Sequence, residues 1–384
     1  MTRQRAAAAC VTGLWVYGAA VGCASKRHAA AAPAPIAGRE EHAASPLHLD
    51  GVVVRAETDP LTGLESYDAL TLIHLAVEAE GHESWGLAAA LYERLLNELP
   101  ESSLVPGARF GLGRAYERLG QLALAIVSYR ALVAMPLPEG GDERATWLDG
   151  HYRLGACLDE QGAAWDAVAV FDRLLSLTWL SSFDRIEALV GRGRALQRAL
   201  APDAAETAYA QAVRLYESAR VDEQVAEQTL AGEAALAWGT IAATRYDAVV
   251  LAYPIEVLRE RLEQKCALLL SAQQRLLRAV RYGDGATVVA AGFRIGSLYE
   301  ALFDGITSLA APPELTSEQT SVYQDEVRSR VGVLVQKAIM VYERTLLAGR
   351  TAPGAEPWVQ RIEHALVRLK AVYLKQGGGA EVGT

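Results

Sequence analysis

The sequence predicts an all-α protein, an α-solenoid of stacked antiparallel helix pairs with a longer-helix carboxy-terminal part. Three observations lead there. From Tyr67 onward apolar residues recur at helical spacing, and proline falls mostly between the long segments rather than inside them. Few segments alternate with period 2, so almost no sheet is expected. One pair of small residues, twelve positions apart, returns four times: Ala76 and Ala88, Gly113 and Ala125, Gly155 and Ala167, Gly193 and Ala205. At 384 residues the chain exceeds one ordinary core, so two domains or an extended repeat array are required.

Residues 1–22 come first. Arg3 and Arg5 are the only charges before Lys26, and residues 6–22 are uncharged and mostly apolar or small. A basic start, a short apolar core and small residues at a cut site describe an export signal. Ala20-Val21-Gly22-Cys23 resembles the lipobox of bacterial lipoproteins, with Ala20 where Leu is usual. That resemblance implies cleavage before Cys23 and its lipidation. One acyl chain binds a membrane marginally, whereas several hold it stably. Ala24, where inner-membrane retention would use Asp, implies an outer-membrane lipoprotein facing the periplasm. Residues 23–64 read as a tether. ASKRHAAAAPAPIAGREEHAASPLH (24–48) is Ala/Pro-rich without apolar period, and Gly51–Arg55 is either a short strand or more tether.

The repeats occupy residues 65–220. In FGLGRAYERLGQLALAIVSY (110–129), Leu112-Gly113 and Tyr116 precede Ala125 and Tyr129. This resembles the tetratricopeptide pattern of Leu-Gly-x2-Tyr followed by Ala-x3-Phe. Leu154-Gly155 with Ala167 and Phe171 repeats it, as do Gly193 and Leu196 with Ala205 and Tyr209. So do Leu75-Ala76 with Ala88 and Tyr92, closed by Pro100. Two helices approach closely where small residues face each other, so Gly113 with Ala125, Gly155 with Ala167 and Gly193 with Ala205 are expected at the crossings. The aromatic one turn beyond each Ala is expected to fill the groove toward the next unit. A single unit cannot bury its own face, so the units must stack. Their spacing exceeds the usual 34 residues, and loops such as PLPEGGDERATW (136–147) are expected to hold the excess.

Residues 221–375 continue as helices in which the repeat degrades. Leu258, Leu262, Leu269, Leu276 and Val280 form one stripe of a long amphipathic helix over 255–280. Ile295-Gly296 with Tyr299 looks like a first repeat helix, its partner displaced to Ala338 and Tyr342. Thr316 with Gln319 has the form of a capping box. RIGSLYEALFD, APPELTSEQ with Tyr323, QKAIMVYE and Trp358 resemble the carboxy-terminal half of large envelope tetratricopeptide proteins of gliding and predatory bacteria, over roughly 225–370. Residues 376–384 read as a loose tail.

Composition excludes several functions. The net charge is −9, and loss of residues 1–22 would make it −11, which argues against nucleic acid as a partner. Cys10 would leave with the signal and Cys23 would take the lipid, so Cys157 and Cys266 remain as small buried hydrophobes without a disulfide framework. The seven histidines, His74 and His151 among them, form no metal-ligand spacing. Gly111-x-Gly113 and Gly191-x-Gly193 follow no strand, so they read as helix-packing positions rather than a dinucleotide fingerprint. With no Walker loop, no nucleophile elbow and carboxylates scattered over exposed faces, no catalytic residue, metal or cofactor is expected.

The inner wall of the superhelix is the candidate site, because first helices of such arrays line a concave surface. Helical spacing places Phe110, Arg114 and Arg118 there from the second unit. The third contributes Tyr152, Asp159 and Glu160, and the fourth Val190, Arg194 and Arg198. Aromatic and Arg side chains are typical anchors. The four arginines are expected to form a basic strip for an acidic segment of a partner. The resulting expectation is a lipid-anchored envelope scaffold that binds other envelope proteins or peptide segments without catalysis. The resemblances also imply an assembly factor for outer-membrane or secretin complexes, or a component of a gliding-motility complex. A periplasmic enzyme, the reading of a different class, would require a perturbed titratable cluster in a deep pocket.

Overall fold

The computed structural model describes residues 67–219, 221–312 and 314–375, with the side chains of 221–227 and of 375 undescribed. The expected export signal, Cys23, the expected tether, residues 51–55 and the tail from 376 lie outside the described residues. Among those residues there are thirteen α-helices and no strand. They are α1 (Ala69–Gly81), α2 (Trp85–Glu98), α3 (Val105–Arg118), α4 (Leu122–Val133), α5 (Gly141–Gln161), α6 (Ala164–Leu175), α7 (Ser182–Arg198) and α8 (Pro202–Ser218). Longer helices follow: α9 (Val221–Ala248), α10 (Ile255–Tyr282), α11 (Gly285–Thr307), α12 (Ser317–Gly349) and α13 (Glu356–Lys375).

The odd and even helices pair in order to make an α-solenoid of tetratricopeptide-like units. Each helix packs on the next, and each odd helix also packs on the following odd helix from α1 through α13. Among the described residues no two even helices approach each other comparably. The odd helices therefore form a continuous inner layer and the even ones a spread outer layer, which is the geometry of a concave wall.

In the second, third and fourth units the crossing sets a ring against the glycine, where an alanine was expected to face it. A Cβ on Gly113 would sit 2.4 Å from the Tyr129 ring, one on Gly155 2.5 Å from Phe171, and one on Gly193 2.6 Å from Tyr209. Phe171 is wedged further, because a Cβ on Gly191 of the next unit would also meet it at 2.4 Å. Tyr92 lies likewise against Gly111. The two Gly-x-Gly runs thus hold one glycine for a unit's own ring and one for its neighbour's. Ala125, Ala167 and Ala205 are fully buried one turn before these rings.

The turn inside each of these units repeats too. Glu83, Gly120, Gly162 and Leu200, each seven residues after the small residue of the crossing, all have positive φ, between 57° and 89°. Residues 141–147 are the first turns of α5 rather than loop, with Trp147 buried, so an extended helix absorbs part of the expected insertion.

Beyond 220 the spacing changes but the packing does not. Gly239 of α9 lies against Leu276 of α10, next to buried Ala272. Gly296 of α11 lies against the ring of Tyr342 of α12, one turn after buried Ala338. The second half is degenerate in spacing alone, because its helices run on past their crossings. The buried stripe of α10 is Lys265, Leu269, Ala272, Gln273, Leu276 and Ala279. Leu258 and Leu262 are half-buried and Val280 is exposed, which corrects the expected stripe. Thr316 and Gln319 form the capping box of α12. Helix α11 is long and apolar enough to cross a membrane, but it packs against α9, α10, α12 and α13 as a core helix. One apolar core joins α1 to α3, and a second runs from Ala125 to Leu369 across residue 220.

Candidate functional site

The inner layer opens into a cavity of about 500 Å3 between α3, α5, α7 and α9. Its rings are Phe110, Tyr152 and Phe171, its floor includes Gly155, Ala156 and Gly191, and Leu230 of α9 closes one side. Of the residues expected on the wall, Phe110, Arg114, Tyr152, Asp159 and Arg194 line this cavity. Arg198 stands beside it, bonded to Asp159. Val190 is fully buried in the core. It lies one residue before Gly191 and turns inward with the apolar face of α7, which corrects its place on the wall. Glu160 is exposed outside the cavity, and Arg118 stacks on the Trp85 ring of α2, 5.4 Å from its centroid.

Nor do the arginines form an unpaired basic strip. Arg114 reaches back to Glu80 of α1 at 2.7 Å, and Arg153 to Glu117 of α3 at 3.1 Å. Arg198 holds Asp159 of α5 at 3.0 Å, and Arg194 makes a two-pronged bond to Glu233 of α9 at 3.0 and 3.2 Å. The pattern continues with Arg294 on Asp247 of α9 and Arg368 of α13 on Glu300 and Asp304. Every step of the inner layer carries an acid–arginine pair. Each partly exposed pair is worth at most about 1 kcal/mol, but together they fix the register of first helix on first helix.

The carboxylates are less fully matched. Asp149, Asp159 and Glu187 all line the cavity, which corrects the expectation of scattered carboxylates. Neither Asp149 nor Glu187 accepts a hydrogen bond or ion pair among the described residues. Burial raises the Glu187 carboxyl above its ordinary range, and Asp149 and Asp184 nearby raise it further. Desolvation raises Asp149, with Asp184 adding to it and Arg153 opposing it. Desolvation also raises Asp159, against the pull of Arg198 and Arg194. The Tyr152 hydroxyl donates to the Asp184 carbonyl at 2.9 Å and so fixes α5 against α7.

Asp149, Arg153, Ala156, Glu187, Gly191 and Leu230 are wall residues that sequence reasoning did not place there. The signal was present: Asp149, Ala156 and Asp159 share the helical face of Tyr152, and Glu187 and Gly191 share that of Arg194. A second opening of about 520 Å3 lies between α11, α12 and α13, with Phe293 and Tyr342 on its floor. Phe293 sits three residues before Gly296, as Phe110 does before Gly113, and in both places the Phe–Tyr ring centroids are 6.0 Å apart.

His151 is buried, its Nδ1–H donating to the Trp147 carbonyl at 3.0 Å, and burial lowers its pKa to about 4. The Cys157 thiol donates to Glu117 at 2.9 Å, and burial pushes its pKa well up. At neutral pH the imidazole is therefore neutral and the thiol stays protonated rather than a thiolate. Among the described residues no cluster of three or more His, Cys, Asp or Glu has the form of a metal site.

No protein-family model matches the sequence, and no curated protein matches it. Among solved structures, the chain is similar to a tetratricopeptide repeat protein from Parabacteroides merdae, with 13% identity and a TM-score of 0.38 over 79% of this chain and 98% of that one. The fold assignment rests on the helix pairing described above.

Proposed function

We propose that this protein is a lipid-anchored scaffold of a bacterial envelope that gathers other envelope proteins by holding their segments in the concave wall of its helical array. The observation that carries the reading is the cavity between α3, α5, α7 and α9, where rings and unmatched carboxylates stand on a continuous inner layer. Rigid rings beside charged groups in a preformed concavity suit the capture of a chain segment. The carboxylates have no hydrogen-bonded base or nucleophile to orient, which favours binding over turnover. Anchoring and export rest on Arg3, Arg5, the apolar stretch and Cys23.

Two measurements test this. A photo-crosslinking residue at Ala156, exposed in the cavity, is expected to give discrete protein adducts in intact envelopes; one at Val127 on the outer helix α4 is not. Equal labelling from both positions, or none from Ala156, would remove the groove. Cys23→Ser is expected to move the protein from the membrane to the soluble fraction without changing its melting temperature, and continued membrane association would exclude lipidation at Cys23 as the anchor.

A further inference from the structure

Among the described residues, both ends of the array carry an apolar face that no neighbouring helix covers. Inside the array each odd helix packs on the odd helices before and after it, whereas α1 packs only on the one after and α13 only on the one before. Terminal units of stacked arrays ordinarily turn a polar face outward. Here Leu72, Ala76 and Ala79 of α1 are buried against α2 and α3, while Leu70 is 67% and Val77 56% exposed, with His74 between them. On α13, Ile362, Leu366 and Leu369 are buried against α11 and α12, while Val367 is 75% and Leu374 67% exposed, with Ala371 between them.

The two faces match in spacing and differ in charge. Each sets two large apolar side chains seven residues apart with a third residue between them, a stripe about 10.5 Å long on one side of its helix. The surroundings of α1 are acidic: Asp68, Glu78, Glu80 and Glu83 occur there, with no Lys or Arg from Tyr67 to Glu93. Helix α13 carries Arg361, Arg368, Lys370 and Lys375 against Glu356 and Glu363. Arg368 and Lys370 already hold acids of α11 and α12. Arg361 stacks on Trp358 and holds no acid among the described residues, and Glu78, exposed beside the stripe of α1, holds no cation among them.

From these two faces we propose that copies of this chain associate head to tail, the free face of α13 in one copy seating on the free face of α1 in the next. An odd helix then meets an odd helix, as at every step within the chain. Leu70 and Val77 leave water against Val367 and Leu374, and the acidic surroundings of α1 lie beside a basic helix. The contact uses different faces of the two copies, so each pair keeps one of each face open and adds further copies. One helix face on another covers less than the ~1,200 Å2 of a stable complex, so the association is weak and rises with concentration.

The test uses the full chain with a photo-crosslinking residue at Val367 or at Val77, illuminated at rising concentration, with the adducts located by mass spectrometry. From Val367 the expected product is a ladder of dimers and higher species joined to α1, and from Val77 a ladder joined to α13. Leu70→Ser with Val77→Ser is expected to cut the Val367 adducts about tenfold, and Glu78→Lys is expected to cut them several-fold. Leu124→Ser with Val127→Ser removes exposed apolar residues from α4, away from both terminal helices, and should change nothing. All the replaced side chains are exposed, so melting temperatures should match wild type; should the double α1 variant melt early, Glu78→Lys alone decides. The proposal falls if no adduct joins two copies, if α13 joins α13 or α1 joins α1, or if the α4 variant lowers the yield as much as the α1 variants. Adducts from Val77 to residues 1–66 would overturn it as well, by assigning the face of α1 to the chain's own leading segment.

Discussion

Leu200 holds φ +58° with its side chain 88% exposed, at a turn position where two sister units place glycine. The left-handed region costs a non-glycine residue about 1–2 kcal/mol, and this leucine recovers little by packing. Leu200→Gly is expected to raise stability by up to about 1 kcal/mol, after the entropy glycine adds to the unfolded chain; urea titration measures it. At Gly155 the balance runs the other way. A methyl there would lie 2.5 Å from Phe171, and that ring is also held by Gly191, so it has no room to retreat. Gly155→Ala is expected to destabilise by about 1–3 kcal/mol despite alanine's better helix propensity, and Phe171→Leu in the same chain should recover part of the loss. His151 makes the fold acid-sensitive. Its folded pKa, about 4, lies below the ordinary 6.5, so the unfolded chain takes up the proton first. Stability from this group is full above about pH 6.5 and is lost as pH falls toward 4, by about 2 kcal/mol at pH 5. Thermal melts of wild type and His151→Gln between pH 7 and 5 should converge on acidification; parallel curves would assign the sensitivity elsewhere.

At the scale of elements, the lesson lies in how α9 meets α10. The Lys265 ammonium is buried and donates to the carbonyls of Tyr246 and Val249, both at 2.9 Å, while lying 3.9 Å from the centre of the Tyr246 ring. It adds donors to carbonyls at and just past the end of α9, where the Tyr246 oxygen also accepts from Val249 N–H, and places a cation at the negative end of that helix. Burial lowers its pKa, the cost of using a lysine as an internal cap. Lys265→Met keeps the stem and removes the donors, and is expected to destabilise by about 2 kcal/mol. Hydrogen exchange should quicken first at the end of α9, and unchanged exchange there would mean that the carbonyls find other partners.

For the whole molecule, stability should follow the one-dimensional logic of stacked units. Helix α13 is the last of the described helices: Ile362 and Leu369 are fully buried against α11 and α12, and Trp358 packs on Phe293 with ring centroids 5.4 Å apart. Deleting residues 356–384 is expected to lower the melting temperature and expose apolar surface of α11 and α12, seen as increased binding of a hydrophobic dye. The cavity between α3 and α9 lies several units away, so an Ala156 adduct should survive the deletion at low temperature.

By itself the sequence determined the fold class, the register of the first four units and the capping box of α12. Those features rest on local pattern: helical period, a fixed offset of twelve, and a side chain reaching three residues along its own helix. It also located the Gly296–Tyr342 crossing despite the insertion, because both residue types survived there. Only the tertiary structure decided what the glycines face, since Ala125 and Tyr129 lie one turn apart and only the crossing geometry selects the ring. It likewise decided which charges of the groove are paired. Arg114, Arg194 and Arg198 read as a basic strip along their own helices, but their partners Glu80, Glu233 and Asp159 come from other units. Charge is neutralised between helices that the chain brings together only on stacking, so what remains unpaired is a property of the assembled wall.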